Sequence, residues 1–206
     1  MFITFEGGEG TGKSTLITKI KKYLESKGYD VILTREPGGK GSKLAEEIRS
    51  LVLDPKYKVN PYTEALLYAA SRAQHLDEVI IPALQKQQIV LCDRYIDSSF
   101  AYQAYARELG FDYIEKINFY ALNHLPNLTF YIDVDPEIGI SRIKNRKKND
   151  RLDQEKITFH QKVREGYQSL VNKYPKRIYT IDGTKTLEEI EKIMIKEIEN
   201  RLWIIN

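Results

Sequence analysis

One stretch near the amino terminus constrains this chain more than any other. Gly7-Gly8-Glu9-Gly10-Thr11-Gly12-Lys13-Ser14 fits the spacing G-x-x-x-x-G-K-[ST]. Such a loop works only between a strand and a helix, and both neighbours are present. Phe2 to Glu6 reads as a buried strand, and Leu16, Ile17, Ile20 and Leu24 recur at helical spacing from about Lys13 until Gly28 stops the pattern. In that setting the glycines let backbone N–H groups turn inward around phosphates, and the helix N-terminus adds its dipole. Lys13 supplies a mobile cation, and the Ser14 hydroxyl suits a Mg²⁺ ion bridging the phosphates.

The rest of the chain alternates short apolar runs with longer helical patterns, the signature of βαβ units and a parallel sheet. Val31-Ile32-Leu33 is a second strand, leading into Thr34-Arg35-Glu36-Pro37-Gly38-Gly39, where Pro and two Gly force a loop. Ser42 caps a helix to about Leu53, ended by Asp54-Pro55, and a helical region follows from about Pro61 to Gln87. Ile89 to Cys92 is a third strand with Asp93 at its carboxyl end. Two helical segments precede a fourth, Leu128 to Asp133. Arg177 to Ile181 is the fifth, and Thr186 to Trp203 is an amphipathic closing helix. The expectation is a single domain over 1–206 with the three-layer α/β P-loop NTPase fold: a five-stranded parallel sheet flanked by helices, plus a lid segment.

Bulk properties narrow the function. The net charge of +3, from 32 basic and 29 acidic residues, carries no global nucleic-acid signature. The single cysteine, Cys92, excludes an intrachain disulfide and suits a reducing compartment. No run approaches the roughly 18 apolar residues of a membrane span, and Met1 to Glu6 lacks the basic start of a secretion signal. A cytoplasmic protein is expected, with no nucleic-acid or membrane partner.

A GTPase switch would need a D-x-x-G turn and an N-K-x-D base reader. The chain has no D-x-x-G, and its nearest base-reader match, Asn172-Lys173-Tyr174-Pro175, lacks the Asp. A small kinase with a second, acceptor substrate remains. If that acceptor is a phosphate ester, arginines must face it, and Arg49, Arg72 and Arg94 are candidates. Arg49 lies on a helix, where a solvated arginine is the ordinary alternative. Tyr68 and Arg72 are four apart and share a helix face, which suits a stacker plus donor for a base, or equally core and rim. Asp93-Arg94-Tyr95 follows an apolar strand, where open α/β sheets bind ligands; a capping Asp is the alternative. Arg142, Lys144, Arg146, Lys147, Lys148 and Arg151 form a local basic excess, either a solvated surface or a lid that brings cations to the transferring group.

Taken together, the glycine loop, Thr34 to Gly39, Ala69-Ala70-Ser71-Arg72, Asp93 to Ser99, Ala101-Tyr102-Gln103 and Arg151-Leu152-Asp153-Gln154-Glu155 resemble the blocks of the thymidylate kinase family, in the family's order and over nearly the whole chain. The resemblance implies transfer of the γ-phosphoryl group of ATP to dTMP, giving dTDP and ADP, with Mg²⁺ as cofactor and a homodimer as the assembly. It implies that Gly7, Gly8, Glu9, Gly10, Thr11, Gly12, Lys13, Ser14, Thr15 and Arg142 meet ATP, with the loop Asp182-Gly183-Thr184-Lys185 near the adenine. Arg49 and Arg94 hold the acceptor phosphate, Tyr68 stacks on thymine, and Arg72, Ser99 and Gln103 read the base edge. Tyr102 crowds C2′, Glu9 meets the 3′-OH, and Asp93 and Glu36 organise the metal and its waters, with Ser14 as a metal ligand.

Two departures stand out. Some family members carry an arginine inside the P-loop where this chain has Gly10, so the resemblance is to the bacterial type, in which a lid spanning approximately 142–153 supplies the cation from Arg146. Lys13, Asp93, Arg94 and Arg146 are then the catalytic set. Ala104 stands where the family often has glycine, and a slightly altered loop is expected there. The acceptor is already a phosphate oxygen, so no strong general base is needed, and His75, His124 and His160 are read as surface or core residues. A kinase for another nucleoside monophosphate is the nearest rival. A nucleotide-holding module without chemistry leaves Arg49, Arg94 and the lid without purpose, and a nucleic-acid binder fits poorly with +3.

Overall fold

The computed structural model describes residues 1–143, 151–152 and 154–205, with side chains to 202. Five strands, β1 (Phe2–Glu6), β2 (Val31–Arg35), β3 (Ile89–Asp93), β4 (Leu128–Asp133) and β5 (Ile178–Asp182), form one all-parallel sheet in the order β2-β3-β1-β4-β5. Every residue of β1 is buried, as expected for a strand with neighbours at both edges and helices on both faces. The chain leaves β1 for β2 on one side and later crosses to β4 on the other. The crevice beyond the carboxyl ends of β1 and β3 is therefore where the strand order reverses, the usual ligand site of such sheets.

Helices cover both faces. Between the strands run α1 (Lys13–Ser26), α2 (Lys43–Leu53), α3 (Pro61–His75), α4 (Ile81–Gln85), α5 (Ile96–Ser99), α6 (Phe111–Ile117), α7 (Phe119–Leu122), α8 (Pro136–Ile143) and α9 (Ile157–Lys173), and α10 (Leu187–Ile205) follows β5. One core layer joins Ile3, Phe5, Leu91, Phe130 and Ile132 of the sheet to Leu16 and Ile20 of α1 and Met194 and Ile198 of α10. The opposite layer joins Phe2, Val90, Cys92 and Tyr131 to Leu76, Phe100, Phe159, Val163, Tyr167 and Leu170. The expected three layers are present.

Several boundaries differ from the sequence reading, each for a local reason. β2 runs through Thr34 and Arg35 because Arg35 pairs with Asp93 of β3. β5 ends on Asp182, which pairs with Asp133. The helical region from Pro61 is interrupted at Leu76–Ile80, a π-helical turn. Pro82 follows it and has no N–H to donate, and a wider turn accommodates that missing bond. Between β3 and β4 there are three helices and a second π-helical stretch, Phe100–Ala106, rather than two segments. Ala104 is buried inside that stretch rather than in an altered loop, and Phe100 packs inward as expected. Helix α9 was not anticipated at all. It packs along Phe100–Ala106 at Gly166, where a Cβ would stand 2.9 Å from the Ala101 Cα.

Candidate active site

The glycine loop sits where β1 turns into α1. Gly10 has φ +68 and Gly12 has φ +83, and a Cβ on Gly10 would stand 2.0 Å from the carbonyl oxygen of Gly139. Helix α8 thus packs backbone-to-backbone on the loop, and only glycine fits at position 10. A cavity of about 120 Å³ opens over Glu9 to Thr15 and is closed on its far side by Asp93 and Arg94. Lys13 curls back over the loop, donating to the carbonyls of Gly7 (3.0 Å) and Gly8 (2.8 Å) and to the Thr11 hydroxyl (3.1 Å). Burial lowers its ammonium to about 8, so it still carries its charge near neutrality. The Ser14 hydroxyl donates to Asp93 Oδ2 at 3.2 Å. These two oxygen groups facing one polar cavity are the donor set a hard divalent cation takes, so the residues present fit Mg²⁺.

Beyond Asp93 and Arg94 a second, larger cleft of about 700 Å³ runs between α2, α3 and the stretch from Tyr95 to Gln103. The two cavities share Glu9, Asp93 and Arg94. Arg35, Arg49 and Arg94 line this cleft together with Glu36, Tyr68, Arg72, Ser99, Tyr102 and Gln103. Arg94 adopts φ +68, a left-handed conformation rare outside glycine. Its guanidinium donates to Glu9 Oε1 at 2.6 Å and to the hydroxyls of Ser98 (3.4 Å) and Tyr167 (3.2 Å), and lies 5.1 Å from the Tyr102 ring centroid. Burial opposes the Glu9 charge, but Arg94 and Lys13 outweigh it and hold the carboxyl below its ordinary range. Tyr102 donates to the same Glu9 oxygen at 3.3 Å.

Arg72 is almost fully buried and four of its N–H bonds are taken: Nε to Glu36 (2.7 Å), Nη1 to Ser99 (2.9 Å) and to Asn118 (2.6 Å), and Nη2 to the Tyr95 carbonyl (3.2 Å). Glu36 gives its other oxygen to His75 Nδ1 at 3.1 Å, so both its oxygens are engaged inside the protein. Arg49 donates to the Pro37 carbonyl at 2.8 Å. Arg142 reaches the carbonyls of Gly10 and Gly183, each at 3.4 Å, and bridges the glycine loop to the 182–185 turn.

Among the described residues, the expected site residues other than Gly7, Gly8 and Arg142 line one of the two cavities; Arg142 bridges to the glycine loop, and Gly7 and Gly8 offer their carbonyls to Lys13. Arg146 and the greater part of the lid, residues 144–150 and 153, lie outside the described residues. His75 and His160 are core residues, and His124 is half-buried against Tyr120. Several contributors were missed. Ser98 and Tyr167 support Arg94, and beneath them Glu6 accepts from the Tyr95 N–H (2.7 Å), Ser98 (2.6 Å) and Tyr167 (2.8 Å). Burial, and next the Asp97 charge, push the Glu6 carboxyl up to about 7. Tyr167 comes from α9, whose apolar positions Phe159, Val163, Tyr167 and Leu170 do recur at helical spacing and could have been read.

Comparison with known proteins converges on one family. The family model described as thymidylate kinase matches residues 5–194. The chain is 58% identical to a thymidylate kinase of Acholeplasma laidlawii, over 98% of this chain and 100% of that one. It is 49% identical to one from a Geobacillus strain, over 98% and 97%. A crystal structure of thymidylate kinase from Ehrlichia chaffeensis superposes with a TM-score of 0.79 at 33% identity, covering 97% of this chain and 98% of that one.

Proposed function

The chain belongs to the thymidylate kinase family and phosphorylates dTMP to dTDP at the expense of ATP, and from that premise we propose how its own residues divide the work. ATP phosphates occupy the glycine-loop cavity and dTMP occupies the larger cleft, so that the reacting groups meet at Glu9, Asp93 and Arg94. The observation that carries this reading is the sharing of those three residues by both cavities. A donor on one side and an acceptor on the other then stand in line, the geometry phosphoryl transfer requires.

The acceptor phosphate is already anionic near neutrality, so the chain need not remove a proton from it. Its task is to hold two anions together and stabilise spreading charge. Arg94 serves both cavities, Arg49 and Arg35 complete the acceptor-phosphate end, and Lys13 swings from the Gly7 and Gly8 carbonyls to the donor phosphates. A Mg²⁺ ion held there would supply positive charge against the donor phosphates. Ser14 and Asp93 would hold it. Arg72, fixed by four bonds, presents its remaining N–H to the base together with Ser99 and Gln103, while Tyr68 stacks on it. Tyr102, pinned to Glu9, crowds C2′. Since Gly10 has no room for a side chain, a further cation comes from the lid, and Arg146 is its candidate.

The setting follows the same reading. Among the described residues no helix is long and apolar enough to cross a membrane, and the lone cysteine suits the cytoplasm. Leu44 and Leu51 on α2 and Tyr62 and Leu66 on α3 are exposed on helices that pack together, a face suited to a homodimer. Leu66→Glu should then halve the mass seen by sedimentation.

An ADP-coupled panel across dTMP, dUMP, dCMP, AMP and CMP tests the whole assignment. dTMP should give the highest kcat/KM, and Arg94→Ala should abolish turnover while ATP still binds. Turnover favouring AMP or CMP would overturn the assignment of the larger cleft.

A further inference from the structure

Glu64, on α3, is fully buried and outside every role described so far. Its carboxylate accepts four hydrogen bonds from three residues. Gln103 Nε2 donates to Oε1 at 2.8 Å and Arg107 Nε at 3.3 Å; Arg107 Nη2 donates to Oε2 at 3.2 Å and Arg151 Nη2 at 2.5 Å. A guanidinium can only donate, and between them Arg107 and Arg151 engage both Glu64 oxygens as acceptors. The amide of Gln103 therefore has no freedom to flip: its –NH₂ must face Glu64 and its carbonyl oxygen must face the other way. Gln103 lines the acceptor cleft. The same carboxylate also ties down Arg151, whose backbone N–H and Nε reach the carbonyls of Leu53 (3.3 Å) and Val52 (3.1 Å) at the end of α2.

We propose that Glu64 is a specificity-positioning residue, which fixes Gln103 with its carbonyl toward the base and so selects a pyrimidine that carries a hydrogen at N3. The inference rests on the reading that the larger cleft holds dTMP. Thymine and uracil carry a donor at N3, whereas cytosine carries an acceptor there. An amide whose oxygen is locked toward the base accepts from the first two and repels the third. A freely rotating amide would turn its –NH₂ outward and take cytosine almost as well. Arg107, paired also with Glu155 at 2.6 Å and lying 4.3 Å from the Phe159 ring centroid, holds the carboxylate from behind.

The test is the ratio of kcat/KM for dTMP to that for dCMP in Glu64→Gln. An amide at 64 can donate or accept, so it no longer dictates which way Gln103 faces. The ratio should fall about tenfold, the weight of one hydrogen bond. A merely structural loss would lower both substrates together and leave the ratio alone. Glu64→Asp is the second variant. It keeps the charge against both arginines and withdraws the oxygens by about one bond length, so it should relax the ratio in the same direction even if Glu64→Gln does not fold. In a Gln103→Leu background neither change at 64 should move the ratio further. A folded variant with the wild-type ratio overturns the inference. A wild-type enzyme with no preference for dTMP over dCMP would instead overturn the assignment of the cleft.

Discussion

Gly139 lies one turn into α8, yet its environment ties it to the phosphates. A Cβ added there would stand 2.2 Å from the carbonyl oxygen of Glu9. Relieving that overlap to an ordinary contact requires α8 and the glycine loop to part by about 1 Å. Overpacking of this kind costs about 1–3 kcal/mol, which for a chain of this size lowers Tm by roughly 3–10 °C. The functional cost is larger, because a displacement of about 1 Å at reacting groups can reduce rate about a hundredfold. Gly139→Ala should therefore lower kcat by roughly two orders of magnitude while leaving the KM for dTMP, bound in the other cavity, within a few-fold. The measurement is steady-state ADP release at saturating dTMP with ATP varied, beside a thermal melt. Ser141→Ala, an exposed position on the same helix, is the control and should change neither. A Gly139→Ala enzyme with kcat within twofold of wild type would refute the claim that this backbone contact sets the loop.

Arg72→Lys keeps the charge but loses the planar fork that reaches Glu36, Ser99, Asn118 and the Tyr95 carbonyl; dTMP affinity by calorimetry should drop about tenfold or more, and unchanged affinity would remove its base-reading role. Glu6 should impose a pH dependence. Once ionised, above about 7, it takes the protons of both Ser98 and Tyr167 and leaves their lone pairs for Arg94, so kcat/KM for dTMP should rise through that region and Glu6→Gln should flatten the rise; identical profiles would exclude the link. The stability sign is opposite: native Glu6 holds its proton to a higher pH than the unfolded chain, whose value is near 4.5, so its contribution to stability declines between those two values and is lowest above 7. Asp97→Ala strands Arg177, which donates to both Asp97 oxygens at 2.6 and 2.8 Å; a loss of about 3–5 kcal/mol in urea unfolding is expected, and a loss under 1 would show the pair to be dispensable.

How far these residues could be foreseen divides along the distance over which they act. The glycine loop, β1, α1 and the Ser42 cap are local patterns, and each formed where the spacing demanded. Asp93 and Arg94 were legible because a strand end is a fixed place in a parallel sheet. The partners of the arginines were not: Glu36 lies 36 residues from Arg72 and Glu9 lies 85 from Arg94, and nothing local joins them. The π-helical stretch Phe100–Ala106 has no distinctive period, yet it carries Tyr102 and Gln103. Helix α9 escaped although its apolar stripe of Phe159, Val163, Tyr167 and Leu170 was readable. The Gly10–Gly139 contact was invisible for a different reason: a glycine advertises freedom in a sequence, whereas here it records a lack of space.

The arginines of the acceptor cleft illustrate what that concealed pairing accomplishes. Arg94 has Glu9, Arg72 has Glu36 and Arg35 has Glu46, at 2.6, 2.7 and 2.8 Å. A guanidinium desolvated without a partner would be costly and would wander. Each is instead held in place by a carboxylate before substrate arrives, so ordering it on binding costs little further entropy. The arrangement differs along the cleft. Both oxygens of Glu36 are committed to buried neighbours, so Arg72 keeps its geometry and offers one free N–H to a neutral base. Glu46 is bonded on its other oxygen by the Gly39 N–H (2.8 Å), while Arg35 and Glu46 are partly exposed and can part. Arg94 and Glu9 stand between the two cavities, where a dianionic phosphate competes directly with the Glu9 carboxylate for the same guanidinium. On the proposed assignment, Glu9 would be released toward the sugar as the phosphate takes Arg94. A site arranged in this way binds the base rigidly and the phosphate by exchange, so a nucleoside without its phosphate should leave the Arg94–Glu9 pair closed and bind far more weakly than its monophosphate.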